Sequence, residues 1–222
     1  MSRQPIIFCD FDGTITMSDN IITIMKKFAP PEWEELKDLI LSQRISIREG
    51  VGKMFSLLPK DLKDDIKEYA IRQAEFRPGF EEFVAFTKEQ NIKLLVVSGG
   101  IDFFVYRLLV PFDIERHDIY CNGSDFTGER IRITWPHPCD RYCDNDCGCC
   151  KPSILRNYDP KQYDRIVIGD SITDLQAAKI ADKVISRGFL TEKCRELDLD
   201  YRAFETFYDV IGILKQRQEE LV

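Results

Sequence analysis

Short apolar runs alternate with amphipathic stretches along most of the chain. The runs PIIFC, IKLLVVS and RIVIG are each followed by polar or glycine-rich turns, which predicts buried strands of a parallel sheet. Helical spacing of apolar residues over 80–90, over about 101–109 and in SITDLQAAKIAD predicts helices between these strands. A last strand is predicted at KVISRG and a closing helix over 204–221. This alternation of helix and strand predicts an α/β fold.

The stretch from residue 19 to residue 77 has a different pattern, with apolar residues at three- or four-residue spacing throughout. Prolines in APPEW and LLPKD stand near the expected helix starts. We therefore predict a compact lobe of about four helices, inserted into the α/β pattern. The predicted organisation is a Rossmann-like, doubly wound parallel core of residues 1–18 plus 78–222, with a small helical cap of residues 19–77.

A cysteine-rich loop is predicted directly after a β-hairpin. DIYCNGSDF and ERIRITW alternate apolar and polar residues with TG between them, which predicts the hairpin, and the hairpin and loop together span 119–150. The loop cysteines have the spacing C-x3-C-x3-C-x-C-C, which is no standard zinc-finger or ferredoxin pattern. A structural Zn²⁺ held by four of them, disulfide chemistry and reduced, packed thiols all remain open. The five residues are Cys139, Cys143, Cys147, Cys149 and Cys150.

Charge and composition narrow the range of partners. Thirty-one basic and thirty-eight acidic residues give a net charge of -7, which disfavours nucleic acid and anionic membranes as partners. The start MSRQPIIFCDFDG has only a short apolar run before its acids, so we expect neither a signal peptide nor a membrane span. With cysteines that are mostly unsuited to a disulfide framework, we expect a cytoplasmic protein. Monomer and homodimer are equally compatible with the sequence.

Three predicted strands end in polar residues suited to chemistry. Asp10 and Asp12 follow the first strand, Ser98 ends the second, and Asp170 follows RIVIG, with Asp174 four residues further on. Because ligands bind at the carboxyl ends of strands in a doubly wound sheet, these residues should converge. Carboxylates gathered at one place repel each other unless a cation is present, and Mg²⁺ prefers oxygen ligands. We therefore predict a Mg²⁺ site formed by Asp10, Asp12, Asp170 and Asp174.

A site for phosphate oxygens is predicted beside these acids. Ser98 offers a hydroxyl, and Gly99 and Gly100 offer backbone N–H groups at an expected helix start. Lys151, at the head of its own predicted helix, adds a positive charge. Ser98, Gly99 and Lys151 are therefore the candidate phosphate-binding residues, and a small phosphorylated molecule is the expected ligand.

Four motifs, DFDGTIT, VVSGG, the lysine of CCKPS and GDSITD, occur in this order between residues 10 and 174. They closely resemble the four motifs of the haloacid dehalogenase superfamily of phosphatases. The helical insertion after the first motif matches the position of that family's C1-type cap. The resemblance implies a phosphoric monoester hydrolase with Asp10 as the nucleophile that forms an aspartyl phosphate. Asp12 would protonate the leaving oxygen and later activate water.

The resemblance also implies how charge is handled in the site. Asp10, the backbone carbonyl of Asp12 and Asp170 would hold Mg²⁺. Ser98 and Lys151 would neutralise the transferring phosphoryl group. Asp174 would orient either a metal-bound water or the lysine.

Further stretches, including FAPPEW, SIREGVGKMF, ITWPHPC and CGCCKPS, are similar to a methionine-salvage family within the superfamily. That likeness implies an enol phosphate substrate. Phosphoserine, phosphoethanolamine and phosphocholine phosphatases share the motifs, and for an amino-bearing substrate Asp19 and Glu49 are the candidate receptors. A metal- or redox-sensing protein that uses the cysteine loop is the remaining alternative. In the cap, Arg44, Arg48 and Lys53 are candidate substrate contacts.

Overall fold

A seven-stranded sheet forms the centre of the computed structural model, which describes residues 3–220. Its strands lie in the order β4-β3-β2-β1-β5-β6-β7, and all neighbouring pairs are parallel except β3 and β4. The strands are β1 (Gln4–Cys9), β2 (Lys93–Ile101), β3 (Ile119–Asp125), β4 (Arg132–Thr134), β5 (Tyr163–Gly169), β6 (Lys183–Ser186) and β7 (Tyr201–Ala203).

Helices connect the strands and cover both faces of the sheet. Those inserted between β1 and β2 are α1 (Asn20–Phe28), α2 (Glu32–Leu41), α3 (Ile47–Ser56) and α4 (Lys63–Gln73), followed by α5 (Phe80–Glu89). The others are α6 (Asp102–Leu109), α7 (Lys151–Arg156), α8 (Ile172–Ala178), α9 (Gly188–Glu196) and α10 (Phe207–Glu220). Between residues 3 and 220, no helix combines the length and the apolar character needed to cross a membrane.

The central strand β1 is apolar on both sides because both of its faces are covered. Ile7 and Cys9 belong to the larger hydrophobic cluster, which also contains apolar residues of the four inserted helices and of α5, α6 and α10. Ile6 and Phe8 point the other way, into a smaller cluster with residues of α7 and α8. A strand buried on both faces has no alternation of apolar and polar residues. The continuous run PIIFC is therefore explained by its central position.

The predicted fold class is confirmed, with differences at the edge of the sheet. The four inserted helices and the hairpin β3–β4 form as predicted. The prediction of KVISRG as the last strand was wrong, because α9 and the edge strand β7 follow it. The closing helix begins at Phe207 instead of 204, and its predicted end at Leu221 lies outside the described residues.

Two glycines of α3 offer a matched test of the helix packing. A Cβ on Gly50 would lie 2.3 Å from Ile40 of α2, whereas a Cβ on Gly52 would meet only the Trp135 ring, at 3.5 Å. Alanine favours a helix over glycine by up to about 1 kcal/mol, but overpacking costs about 1–3 kcal/mol. We expect Gly50→Ala to lower the free energy of unfolding by about 1 kcal/mol and Gly52→Ala to leave it unchanged or raise it. Urea denaturation of both variants checks this, and equal effects would contradict the packing.

Candidate active site

The carboxyl ends of three adjacent strands bring the predicted acids together. Asp10 directly follows β1, Asp170 directly follows β5, and Ser98 lies in β2. Because β1 pairs in parallel with both β2 and β5, these positions share one edge of the sheet. Asp10, Asp170 and Asp174 each have one carboxylate oxygen within 4.8 Å of the others. The structure thus places three of the four predicted acids around one point.

Lys151 lies between two of these acids. Its Nζ is 2.6 Å from Asp10 Oδ1 and 2.6 Å from Asp174 Oδ1, and it donates to Thr173 Oγ1 at 3.2 Å. The lysine is only 7% exposed. Burial lowers the pKa of its ammonium, but the two carboxylates outweigh burial and hold that pKa above its ordinary value. The lysine is therefore charged and held in place directly beside Asp10.

Asp174 uses both of its carboxylate oxygens within the protein. While Oδ1 accepts from Lys151, Oδ2 accepts the backbone N–H groups of Asp170 and Ser171 at 3.2 and 3.1 Å. The Ser171 amide belongs to the capping box at the start of α8. Both contacts favour a role for Asp174 in holding Lys151, and a direct bond from Asp174 to a metal stays a prediction.

Asp12 occupies a different environment from Asp10. Its Oδ1 accepts the backbone N–H and the side-chain amide of Asn20 at 2.9 and 2.7 Å, and Ser98 Oγ lies 3.5 Å from its Oδ2. Burial, and next the charge of Asp19, raise the pKa of Asp12 to about 7. A carboxyl group with this pKa can give and take a proton near neutral pH. Asn20 is the first residue of α1, so the first inserted helix positions this acid.

The structure differs from the predicted phosphate-binding site in one respect. Gly99 and Gly100 are not at a helix start, because β2 continues to Ile101 and α6 begins at Asp102. The N–H of Gly100 donates to Ser98 Oγ at 2.9 Å. A Cβ on Gly99 would meet nothing within 4 Å, so that position borders open space. Ser98 lies beside Asp12, but the predicted pair of free helix-terminal N–H groups was wrong.

The charge balance of the site fits a divalent cation. Burial and the charge of Asp174 raise the pKa of Asp10, and burial first of all raises the pKa of Asp170. Buried carboxylates that face one lysine remain short of positive charge. The donors are all oxygens, and their spacing suits the oxygen-to-metal distances of Mg²⁺, which are about 2.1 Å. This cluster of acids is thus chemically suited to Mg²⁺.

The tight turn after Asp10 is held by two arginines. Arg77 donates to the carbonyl oxygens of Gly13 and Thr14, both at 2.7 Å, and Arg187 also donates to Gly13, at 3.0 Å. Gly13 has a φ of +79°, and a Cβ there would lie 2.4 Å from Asp170 Oδ2. Only glycine permits both this conformation and this approach. The turn therefore fixes the distance between the ends of β1 and β5.

Sequence reasoning missed several residues that position the acids. Arg77 is 3% exposed and joins the turn to the segment that leads from α4 to α5. Asn20 orients Asp12, and Thr14 Oγ1 donates to Asp170 Oδ1 at 2.7 Å. The position of Thr14 within DFDGTIT was a usable signal. Arg77 and Asn20 gave no local signal, because their partners are remote in sequence or lie on another element.

Two of the three candidate substrate contacts in the inserted helices form ion pairs within the protein. Arg48 pairs with Asp146 at 3.2 Å, Lys53 pairs with Glu49 at 2.6 Å, and Arg44 is exposed. These contacts favour packing roles, and a substrate contact for the three cations stays a prediction.

The cysteine-rich loop divides its thiols into a group of four and one that is separate. One sulfur atom from each of four cysteines lies within 4.8 Å of the others, and these are Cys139, Cys143, Cys147 and Cys150. Cys149 is buried in the smaller hydrophobic cluster. All eight cysteines of the chain are free thiols in the structure. Cys149, the fifth cysteine of the loop, therefore lies outside the group.

The strand ends of this doubly wound sheet gather three carboxyl groups around a buried lysine, so the fold and the site define an α/β enzyme whose chemistry depends on carboxyl groups. Residues 7–179 match the haloacid dehalogenase-like hydrolase family. The chain is 59% identical over 222 residues to a 2-hydroxy-3-keto-5-methylthiopentenyl-1-phosphate phosphatase of Brevibacillus brevis, with 100% of both chains covered. It is 62% identical to the phosphatase of that name from Geobacillus kaustophilus, again over 100% of both chains.

Solved structures support the same fold. A phosphoserine phosphatase in the form of a phospho-aspartyl intermediate analogue aligns with a TM-score of 0.70 at 18% identity, over 96% of this chain and 99% of that one. The chain belongs to the haloacid dehalogenase-like hydrolase family.

The role of Arg77 can be tested against an exposed arginine nearby. Arg77→Ala leaves the carbonyl oxygen of Thr14 without this donor and that of Gly13 with Arg187 alone, so we expect the free energy of unfolding to fall by about 3 kcal/mol. Arg72→Ala, on the exposed side of α4, should change it by less than about 0.5 kcal/mol. Chemical denaturation measures both. If the two variants were equally stable, Arg77 would not hold the turn.

Proposed function

We propose that this protein is a Mg²⁺-dependent phosphatase that hydrolyses 2-hydroxy-3-keto-5-methylthiopentenyl-1-phosphate to 1,2-dihydroxy-3-keto-5-methylthiopentene and phosphate, in methionine salvage. The observation that carries the substrate is the identity of 59–62% along the whole chain to phosphatases of that name. The geometry at the strand ends supports the chemistry independently of the substrate.

In the first half of the proposed reaction, a carboxylate oxygen of Asp10 attacks phosphorus. The bond between phosphorus and the substrate oxygen breaks, and an aspartyl phosphate forms. Asp12 gives its proton to the leaving oxygen, which departs as the hydroxyl of the product. A pKa of about 7 keeps much of Asp12 protonated for this step.

In the second half, Asp12 is the base. Its carboxylate takes a proton from water as the water oxygen attacks phosphorus, the acyl phosphate bond breaks, and Asp10 is restored. Asn20 holds Asp12 by two hydrogen bonds in both halves. The environments of the two acids thus divide the nucleophilic and proton-transfer roles between them.

Lys151 neutralises negative charge on the transferring group, and the Ser98 hydroxyl donates a hydrogen bond to it. Lys151 is already fixed beside the Asp10 oxygen at 2.6 Å, so its charge needs no rearrangement as the phosphoryl group arrives. Mg²⁺, held by Asp10, the backbone carbonyl of Asp12 and Asp170, would supply further positive charge to the phosphoryl oxygens. Asp174 keeps the lysine in position.

The inserted helices are proposed as a C1-type cap over residues 19–77, joined to a core of residues 1–18 and 78–222. Asn20 links α1 to Asp12, so cap and chemistry meet at this residue. The two acids considered as receptors for an amino group are engaged elsewhere. Asp19 caps α1 by accepting from Ile22, and Glu49 pairs with Lys53. This arrangement favours a substrate without an ammonium group over phosphoserine or phosphoethanolamine.

The proposed substrate is tested by comparing kcat/KM for the enol phosphate, generated enzymatically, with kcat/KM for phosphoserine, phosphoethanolamine and p-nitrophenyl phosphate. We expect a preference of at least about two decades, which corresponds to about 2.7 kcal/mol. Chelation of Mg²⁺ should abolish turnover and added Mg²⁺ should restore it. Asp10→Asn should be inactive on all four compounds, whereas Asp38→Asn, on the exposed face of α2, should match the wild type.

Different failures of this experiment have different meanings. Similar turnover of all four compounds would overturn the substrate but leave the phosphatase chemistry. Retained activity in Asp10→Asn would overturn the mechanism. No turnover in the wild type with Mg²⁺ would favour a sensor that uses the cysteine loop.

A further inference from the structure

Four cysteines of the loop between β4 and α7 bring their sulfur atoms to one point. The Sγ atoms of Cys143 and Cys147 are 3.8 Å apart, and all four ligand atoms lie within 4.8 Å of one another. A disulfide requires a sulfur-to-sulfur distance of about 2.05 Å. The thiols are thus gathered without being bonded to each other.

The sulfur spacing matches the geometry of a tetrahedral metal site. Zinc binds thiolates at about 2.3 Å, so the edge of an ideal tetrahedron of sulfur ligands is about 3.8 Å. This is the distance observed between Cys143 and Cys147. We propose that Cys139, Cys143, Cys147 and Cys150 bind one structural Zn²⁺ ion. This proposal does not rest on the identity of the substrate.

Hydrogen-bond donors point at two of the sulfur atoms. The backbone N–H of Cys147 donates to Cys139 Sγ at 3.4 Å, and Ser153 Oγ donates to Cys150 Sγ at 2.9 Å. Donors of this kind stabilise thiolates and orient them toward a metal. Arg156 contributes positive charge nearby, since it donates to Ser153 and forms a bidentate pair with Asp140. Two of the four sulfur atoms therefore accept hydrogen bonds of the kind that suits a thiolate.

The local backbone explains why four cysteines participate and the fifth does not. Gly148 has a φ of +82°, and a Cβ there would lie 2.8 Å from the Trp135 ring. The chain turns at this glycine, after which Cys149 enters the hydrophobic cluster of α7 and α8 while Cys150 returns to the other thiols. Four thiolates complete a closed structural site, whereas catalytic zinc sites keep one position open. The site is thus of the structural type.

The last cysteine of the proposed zinc site, Cys150, directly precedes Lys151 in the sequence. The backbone N–H of Cys150 donates to the carbonyl oxygen of His137 at 2.9 Å. The helix α7 has only six residues, and a helix this short has little stability of its own. A metal bond at Cys150 would fix the start of α7, and with it the position of Lys151.

The same loop also contacts the inserted helices. Asp146, between the second and third cysteine of the group, accepts from Ser46 at 2.7 Å and from Arg48 at 3.2 Å, at the start of α3. The backbone N–H of Arg48 donates to the Asp146 carbonyl at 3.2 Å. One zinc ion would therefore brace both the lysine and the docking of α3.

The test is the metal content of the full-length protein, purified without chelator and measured by inductively coupled plasma mass spectrometry. We expect about one zinc ion per chain in the wild type. Cys147→Ser should lower the zinc content at least about tenfold, because three thiolates form an incomplete site. Cys194→Ser makes the same substitution at a buried cysteine of α9, which packs with residues of α8 and β6, and it should keep the full zinc content. Cys149→Ala should also keep it.

A second measurement guards against a variant that does not fold. Wild type and Cys149→Ala, reconstituted with Co²⁺, should show thiolate-to-cobalt charge-transfer absorption, and Cys147→Ser should lack it while retaining the wild-type circular dichroism. Absence of zinc from the wild type, iron in its place, or a mass two hydrogens lower that indicates a disulfide would each overturn the proposal. Equal zinc loss in Cys194→Ser and Cys147→Ser would overturn it as well.

Discussion

The ammonium of Lys151 is the group on which the arrangement of the site depends. It lies 2.6 Å from carboxylate oxygens of both Asp10 and Asp174, in surroundings where it is 7% exposed. A buried ion pair of this kind is costly to break, because removal of one partner leaves the other charge uncompensated. The end of β1 and the starts of α7 and α8 are thereby fixed relative to each other. The chemistry proposed for Asp10 uses a charge that the fold already requires.

Other contacts also fix the segments that carry the acids of the site. Arg77 and Arg187 hold the turn that follows Asp10 by its carbonyl oxygens, and Asn20 holds Asp12 from the first inserted helix. On the far side, the cysteine-rich loop leads directly into Lys151. Each of these segments is short and has little stability of its own, so tertiary contacts set the positions of the groups proposed to act in catalysis.

The sequence predicted the strands and acids well because both depend on local patterns. PIIFC, IKLLVVS and RIVIG had to be buried strands, and the polar residues after them had to share one edge of the sheet. Strand β7 was not predicted because it is an edge strand of only three residues, none of which is fully buried. Arg77 was not predicted because the sequence does not show whether an arginine is exposed or buried against backbone carbonyls. Likewise, nothing in CGCCK indicated that Gly148 would separate Cys149 from the other thiols.

The proposed function depends on phosphoryl transfer through Asp10, with Asp12 as the proton carrier. The most direct measurement is rapid acid quenching during turnover, followed by mass spectrometric mapping of the phosphorylated peptide. We expect one phosphoryl group on Asp10 at early times, formed more slowly and hydrolysed more slowly in Asp12→Asn. Phosphate on Ser98, or turnover in the wild type without any phosphorylated peptide in either protein, would contradict it.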